Sequence, residues 1–251
     1  MQDLDDDARP PSAPPAGEVP LPPLELRTGG AHFTDDQDYR RLAARDVRGL
    51  QERAGLGAAS RLLDWGCGAG RLAVGLRATG AEFGSYLGVD VQADHVAWAQ
   101  ANLATDRISF VRVDDPNARY NPGGTAVRDL PAEDASVDVL HAYSVFSHMT
   151  ADDTARYLEG VCRVLAPAGR AVVTAFVERG VPSWSVNPPG YGPLAWEGPL
   201  HCVRYDEDFF ADLVAASGLA VVDLSRGGET DGQSLLVLER ARRAAGDPPA
   251  A

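Results

Sequence analysis

The run Leu62-Leu63-Asp64-Trp65-Gly66-Cys67-Gly68-Ala69-Gly70-Arg71 holds residue types that suit a bound nucleoside. Glycines at alternate positions let the chain turn sharply and let a ligand reach the backbone with no Cβ in the way. A helix starting behind them supplies free N–H groups. Asp90 follows twenty residues after Gly70, a placement that suits a carboxylate holding two ribose hydroxyls. His148 is a second chemical candidate, because an imidazole titrates near neutrality and can take a proton from a hydroxyl or amine. The alternative for His148 is a capping or hydrogen-bonded structural role. Between Arg179 and Leu200 the chain has no periodicity but carries Trp184, Tyr191, Trp196 and Glu197, with His201 and Tyr205 just beyond. Such a segment suits an acceptor site or an ordinary packed loop.

These residues need elements to position them. Apolar spacing predicts helices over 36–54, 70–78, 92–103, 152–165 and 207–217, and strands over 61–65, 85–89, 108–113, 137–142 and 170–177. Asp35 or Asp36 is the expected cap of the first helix. Alternating strands and helices imply an α/β, doubly wound, mostly parallel sheet. The last two strands, 219–224 and 234–238, are separated only by a turn-rich stretch, too short for a parallel crossover, and so should pair antiparallel. The expectation is therefore a Rossmann-like, seven-stranded sheet closed by an antiparallel C-terminal hairpin. It comprises residues 25–243, between Pro- and Asp-rich disordered tails at 1–24 and 244–251.

Composition excludes several classes. The formal net charge of -13 and the lack of any Lys/Arg run disfavour a nucleic-acid partner. The three cysteines form neither a disulfide framework nor a zinc spacing, and no metal is expected. No apolar run reaches membrane length, and a cytoplasmic location is the default.

Three details favour S-adenosylmethionine over a dinucleotide. Arg71 stands where the dinucleotide fingerprint wants a small residue, and Asp64 would repel a pyrophosphate yet welcome an ammonium. The closing hairpin is the third. The segment Gly66-Cys67-Gly68-Ala69-Gly70-Arg71 resembles motif I of class I S-adenosylmethionine-dependent methyltransferases. Leu87-Gly88-Val89-Asp90-Val91, Phe110 to Pro122, Tyr143 to Met149 and Arg163 to Gly169 resemble later motifs of a bacterial subgroup, with Ser147 in place of threonine and Ala168 in place of glycine.

The resemblance implies that Asp64, Gly66 and Gly68 hold the methionine end of the cofactor, with Arg71 reaching its carboxylate or else lying on the helix surface. It gives Asp90 to the ribose, or to capping the helix from Gln92. Val91 would pack on adenine and Asp114 or Asp115 would meet its amino group, the other being a turn residue. Cys67 is a buried spacer, and Tyr39 covers the cofactor or is plain core. Tyr143 and Ser144 lie beside the methionine end. His148 would be the general base, and His148, Trp184, Tyr191, Trp196, Glu197, His201 and Tyr205 would line the acceptor site. The implied activity is methyl transfer to O or N of a small molecule, such as a sugar, amino sugar or other natural-product intermediate, by a monomer or homodimer. An NAD-dependent oxidoreductase and a non-catalytic cofactor-binding protein are the rivals.

Overall fold

Leu62 and Leu63 point to opposite faces of one strand, and their two neighbourhoods are the two halves of the core. The computed structural model describes residues 18–126, 129–192 and 194–241. Strand β1 (Arg61–Trp65) pairs in parallel with β2 (Ser85–Asp90) and β4 (Val137–Ala142), β2 with β3 (Ile108–Arg112), and β4 with β5 (Leu165–Glu178). Strands β8 (Leu219–Ser225) and β9 (Ser234–Arg240) form the expected antiparallel hairpin, with β9 antiparallel to β5. The main sheet thus runs β3-β2-β1-β4-β5-β9-β8, the Rossmann-like arrangement.

Helices α1 (Asp36–Ala54), α2 (Arg71–Thr79) and α3 (Ala93–Leu103) cover one face through Leu42, Leu50, Leu72, Leu76 and Leu103. Helices α4 (Ala151–Val164) and α5 (Glu207–Ala216) cover the other through Leu158, Val161, Phe210 and Val214. Asp35 caps α1 by accepting from the Asp38 N–H, and Gly55 ends it in a left-handed conformation, φ 70°.

Gly75 marks where α1 and α2 touch. A Cβ there would lie 2.4 Å from the Ala43 carbonyl oxygen and 3.0 Å from Val47 Cγ2. Gly75→Ala should therefore destabilise the fold by about 1–3 kcal/mol through overpacking, although alanine is the better helix former by about 1 kcal/mol. A denaturant midpoint that rises would contradict this.

Three expectations need correction. Strand β5 starts at Leu165, not Arg170, because the chain passes through an irregular register opposite Val137–Val139 before the regular ladder begins. The segment expected to be loop contains β6 (Trp184–Val186), which pairs antiparallel with β7 (Val203–Asp206), itself parallel to the far end of β5. Strands this short show no readable alternation. The N-terminal tail expectation lies outside the described residues for 1–17, as does the C-terminal one. Residues 18–24, however, are placed: Arg40 donates to the Val19 carbonyl (3.0 Å) and pairs with Glu18 (2.6 Å), while Val19 and Leu21 pack on the α1 side of the core. Prolines remove donors, but extended chain needs no internal hydrogen bonds to lie along a helix.

Candidate active site

The carboxyl ends of β1, β2 and β4 open into one cavity, where ligands of open α/β sheets bind. After Trp65 the chain reverses at Gly66 (φ 76°) and Gly68 (φ 53°), then enters α2 through Gly70 (φ 84°). A Cβ at Gly66 would lie 2.4 Å from Val145 Cγ2, so glycine there is needed for space as well as dihedral. Gly68 has nothing nearer its missing Cβ than Thr28 Oγ1 at 3.7 Å, leaving its face open to the cavity.

Asp90 secures this turn. Its Oδ2 accepts from the Gly68 N–H (2.8 Å) and its Oδ1 from the Gln92 N–H (2.9 Å), so it serves both the glycine turn and the entry to α3. Burial raises its pKa above the usual carboxylate range, against the hydrogen bonds that lower it. The Val91 N–H adds a further hydrogen bond, and the carboxylate's remaining acceptor capacity can meet a donor from the cavity.

Asp64 is more committed than expected. Its oxygens meet the Tyr86 hydroxyl (2.7 Å) and His141 Nδ1 (2.7 Å), joining β1 to its neighbours on both sides. Arg71 lines the cavity but is not a free cation. It pairs with Asp46 and lies between the Phe33 ring (4.8 Å) and the Tyr143 ring (4.7 Å). Asp46 also meets Arg45, which holds Glu229 (2.7 Å), and Tyr143 bonds Thr230. The β8–β9 turn is thereby tied to the glycine turn.

Tyr39 is buried against Phe33 and also lines the cavity, and burial raises its phenol pKa. Of the paired acids, Asp115 reaches the cavity and Asp114 does not. Asp114 accepts from the Thr125 hydroxyl (2.9 Å) and from Asn121, the behaviour of a turn residue. Val91 and Cys67 line the cavity too; Cys67 is buried beside Gly88, and burial raises its thiol pKa.

His148 sits beyond Tyr143 and Ser144. Its Nδ1 lies 2.9 Å from the Leu200 carbonyl, which can only accept, so Nδ1 carries the proton and Nε2 presents a lone pair. Nε2 lies 3.3 Å from the Tyr120 hydroxyl and 3.4 Å from Ser144 Oγ. Burial, reinforced by the Arg119 charge, pushes its pKa down to about 4. Ser144, at φ 58°, is fixed by its N–H to Thr174 Oγ1 (2.7 Å) and by the Gln233 side-chain amide (2.9 Å).

The expected acceptor residues divide. Trp196 and His201 line the cavity; Trp184, Tyr191, Glu197 and Tyr205 do not. Trp184 stands on edge strand β6. Tyr191 packs on Phe176 and under Arg204, and Glu197 offers its backbone to His201 and Arg119. Tyr205 is fully buried, its hydroxyl bonded to the Met149 carbonyl (2.6 Å) and Thr154.

Sequence reading missed Asn117, Arg119 and Tyr120. Asn117 Oδ1 accepts from the N–H groups of Arg119 and Tyr120, and its amide donates to the His148 carbonyl (3.0 Å). That tight turn carries two side chains into the cavity wall. The motif from Phe110 to Pro122 carries no periodicity that marks which of its members face the site.

Residues 62–169 match the family model described as a methyltransferase domain. A curated relative, methyltransferase GfsG of Streptomyces halstedii, is 32% identical over 132 residues, which are 52% of this chain and 43% of that protein. The chain therefore spans less than half the length of that relative. Over its middle portion the chain is thus similar to methyltransferase domains.

Solved structures share the fold of this chain. The [4+2]-cyclase SpnF superposes with TM-score 0.57 at 20% identity, over 86% of this chain and 84% of that one. A Burkholderia thailandensis 1,6-didemethyltoxoflavin-N1-methyltransferase, solved with S-adenosylhomocysteine, gives 0.53 at 20% identity, over 82% and 80%. S-Adenosylmethionine is the cofactor that these likenesses indicate, and the residues present fit it. The open face at Gly68 lets backbone approach, and a buried carboxylate at Asp90 with a raised pKa still has acceptor capacity for hydroxyl donors. Among the described residues no helix is long and apolar enough to cross a membrane.

Proposed function

We propose that this protein transfers a methyl group from S-adenosylmethionine to an oxygen or nitrogen of a small molecule, with His148 as the proton acceptor. The observation that carries this reading is the fixed tautomer of His148. Its Nε2 lone pair stands in the cavity wall beside the Ser144 and Tyr120 hydroxyls. In this reading Asp90 holds the ribose, Gly66 and Gly68 lie against the methionine end, and Asp115 and Val91 flank adenine. Arg71 and Tyr143 wall the methionine end, which Tyr39 and Phe33 cover. The cofactor, when bound, supplies an activated methyl group, so the chain's own task is alignment, exclusion of water and acceptance of one proton.

The acceptor half of the cavity carries Phe176, Trp196, His201 and Tyr120. These flat faces suit a ring, and a natural-product intermediate is the class we favour. GfsG and the toxoflavin enzyme are both named methyltransferases, which supports the chemistry. The fold is also shared with a protein named a cyclase, so turnover decides. The test is to incubate the protein with methyl-labelled S-adenosylmethionine and a panel of hydroxylated and aminated ring compounds. Label should move to one class of acceptor as S-adenosylhomocysteine accumulates. Calorimetry should show S-adenosylhomocysteine binding and no NAD binding, and the reverse would overturn the reading.

A further inference from the structure

Among the described residues, four arginines line the cavity: Arg27, Arg71, Arg119 and Arg156. Arg27 pairs with Asp36 (2.6 Å), Arg71 with Asp46, and Arg156 with Asp115 and Asp153 (3.8 Å each). Among the described residues Arg119 has no carboxylate within ion-pair distance. Its Nη1 makes a long contact to the Glu197 carbonyl (3.4 Å), its guanidinium lies 5.5 Å from the Tyr120 ring centre and hydrogen-bonds the Tyr120 side chain, and its Nε is buried with no hydrogen-bond partner. Arg119 is half-buried, with its Nε shut off from water; a buried donor left unpaired is costly, and an anion is the partner that matches the guanidinium fork. In a chain of net charge -13, leaving one cationic side chain of the cavity wall without an acid is a departure from the rest of the site. Asp231, the acid on the nearby β8–β9 turn, lines the same cavity without pairing with it.

We propose that Arg119 is the specificity-determining residue of the acceptor site and that the acceptor is a ring compound bearing a carboxylate. This rests on reading the cavity as a methyltransferase acceptor site. Arg119 takes the carboxylate, and Trp196, Phe176 and His201 take the ring. The hydroxyl or amine to be methylated then faces Nε2 of His148, on the neighbouring side of Tyr120. Asn117 Oδ1 holds the N–H groups of both Arg119 and Tyr120, so one tight turn carries the anchoring group and the wall of the reaction site.

The test uses full-length protein saturated with S-adenosylhomocysteine. Hydroxybenzoates, hydroxycinnamates and hydroxynaphthoates are titrated against their primary carboxamides by calorimetry. At least one carboxylate should bind roughly 10- to 100-fold more tightly than its amide, the worth of a charge-assisted hydrogen bond. Arg119→Gln should erase that preference and Arg119→Lys should restore part of it, with S-adenosylhomocysteine affinity unchanged in both. Equal affinity for every acid and its amide, or no binding of any acid, overturns the proposal. So does a loss of S-adenosylhomocysteine affinity in Arg119→Gln, which would give Arg119 to the cofactor's carboxylate. Failure of wild-type protein to bind S-adenosylhomocysteine would instead bring down the reading of the cavity, and it would show before any acceptor is added.

Discussion

Asp90→Ala should weaken S-adenosylhomocysteine binding by roughly 30- to 1,000-fold, the equivalent of about 2–4 kcal/mol for two hydrogen bonds to a charged group. The substitution removes more than a ligand contact. The Gly68 and Gln92 N–H groups both lose their acceptor, and the turn that presents the cavity's open backbone loses its tie to β2. Asp90→Asn separates these contributions: the amide keeps the shape and one acceptor but sets an NH2 against one of the two backbone donors. Its affinity should fall between wild type and alanine. The sign of the pH dependence follows from burial. Asp90 has a raised pKa in the free protein, and hydroxyl donors favour its ionised form, so affinity should fall as pH drops through that raised value. Calorimetry across pH on all three proteins checks this, and an unchanged dissociation constant in Asp90→Ala would remove Asp90 from the site.

That the sequence points to Asp90 at the cavity, and not to Arg119, has a physical basis. The glycine turn and Asp90 are bound to regular elements at fixed offsets. A strand end, a tight turn and a helix start constrain residue types so strongly that spacing alone reveals them. The parallel sheet and its closing hairpin were legible for the same reason, through alternating apolar runs and a link too short for a crossover. The acceptor side is built differently. Arg119 and Tyr120 reach the cavity from a turn held by Asn117 side-chain hydrogen bonds, and Gln233 comes from the far end of the chain. Neither device leaves a period in the sequence.

Aromatic content misled for a related reason. Trp184, Tyr191 and Tyr205 were grouped by proximity in sequence, yet the unforeseen β6–β7 pair sends Trp184 to an edge and buries Tyr205 in the core. Arg71 shows the converse. It lines the cavity, but its pairing with Asp46 depends on α1 packing across α2, a tertiary fact that no local pattern records.

His148→Ala should lower kcat by roughly 100- to 10,000-fold, the usual worth of a positioned general base, while leaving S-adenosylhomocysteine affinity near wild type. The imidazole is held by the Leu200 carbonyl, so alanine leaves that acceptor without its partner and costs some stability; rates must be normalised to folded protein. His148→Gln is the second variant. It can still donate to Leu200 but offers no base, so a structural role predicts rescue by glutamine and a catalytic role predicts none. The pH profile gives an independent check. The groups facing the imidazole are Arg119 and Tyr120 from the turn after β3, Ser144 from the turn after β4, and His201 from the segment before β7. Burial and Arg119 hold its pKa at about 4 in the free protein, so the imidazole stays neutral and competent across the physiological range. In wild type, kcat/KM should therefore stay flat as pH falls from 8 to about 5 and drop only as pH approaches 4. A histidine in water would instead lose activity near its ordinary value of about 6.5. If a carboxylate acceptor neutralises Arg119, the limb in kcat should sit at higher pH than the limb in kcat/KM, because kcat reports the occupied site. A well-folded His148→Gln protein with near-normal kcat would end the assignment and pass the proton to His201, which lines the same cavity.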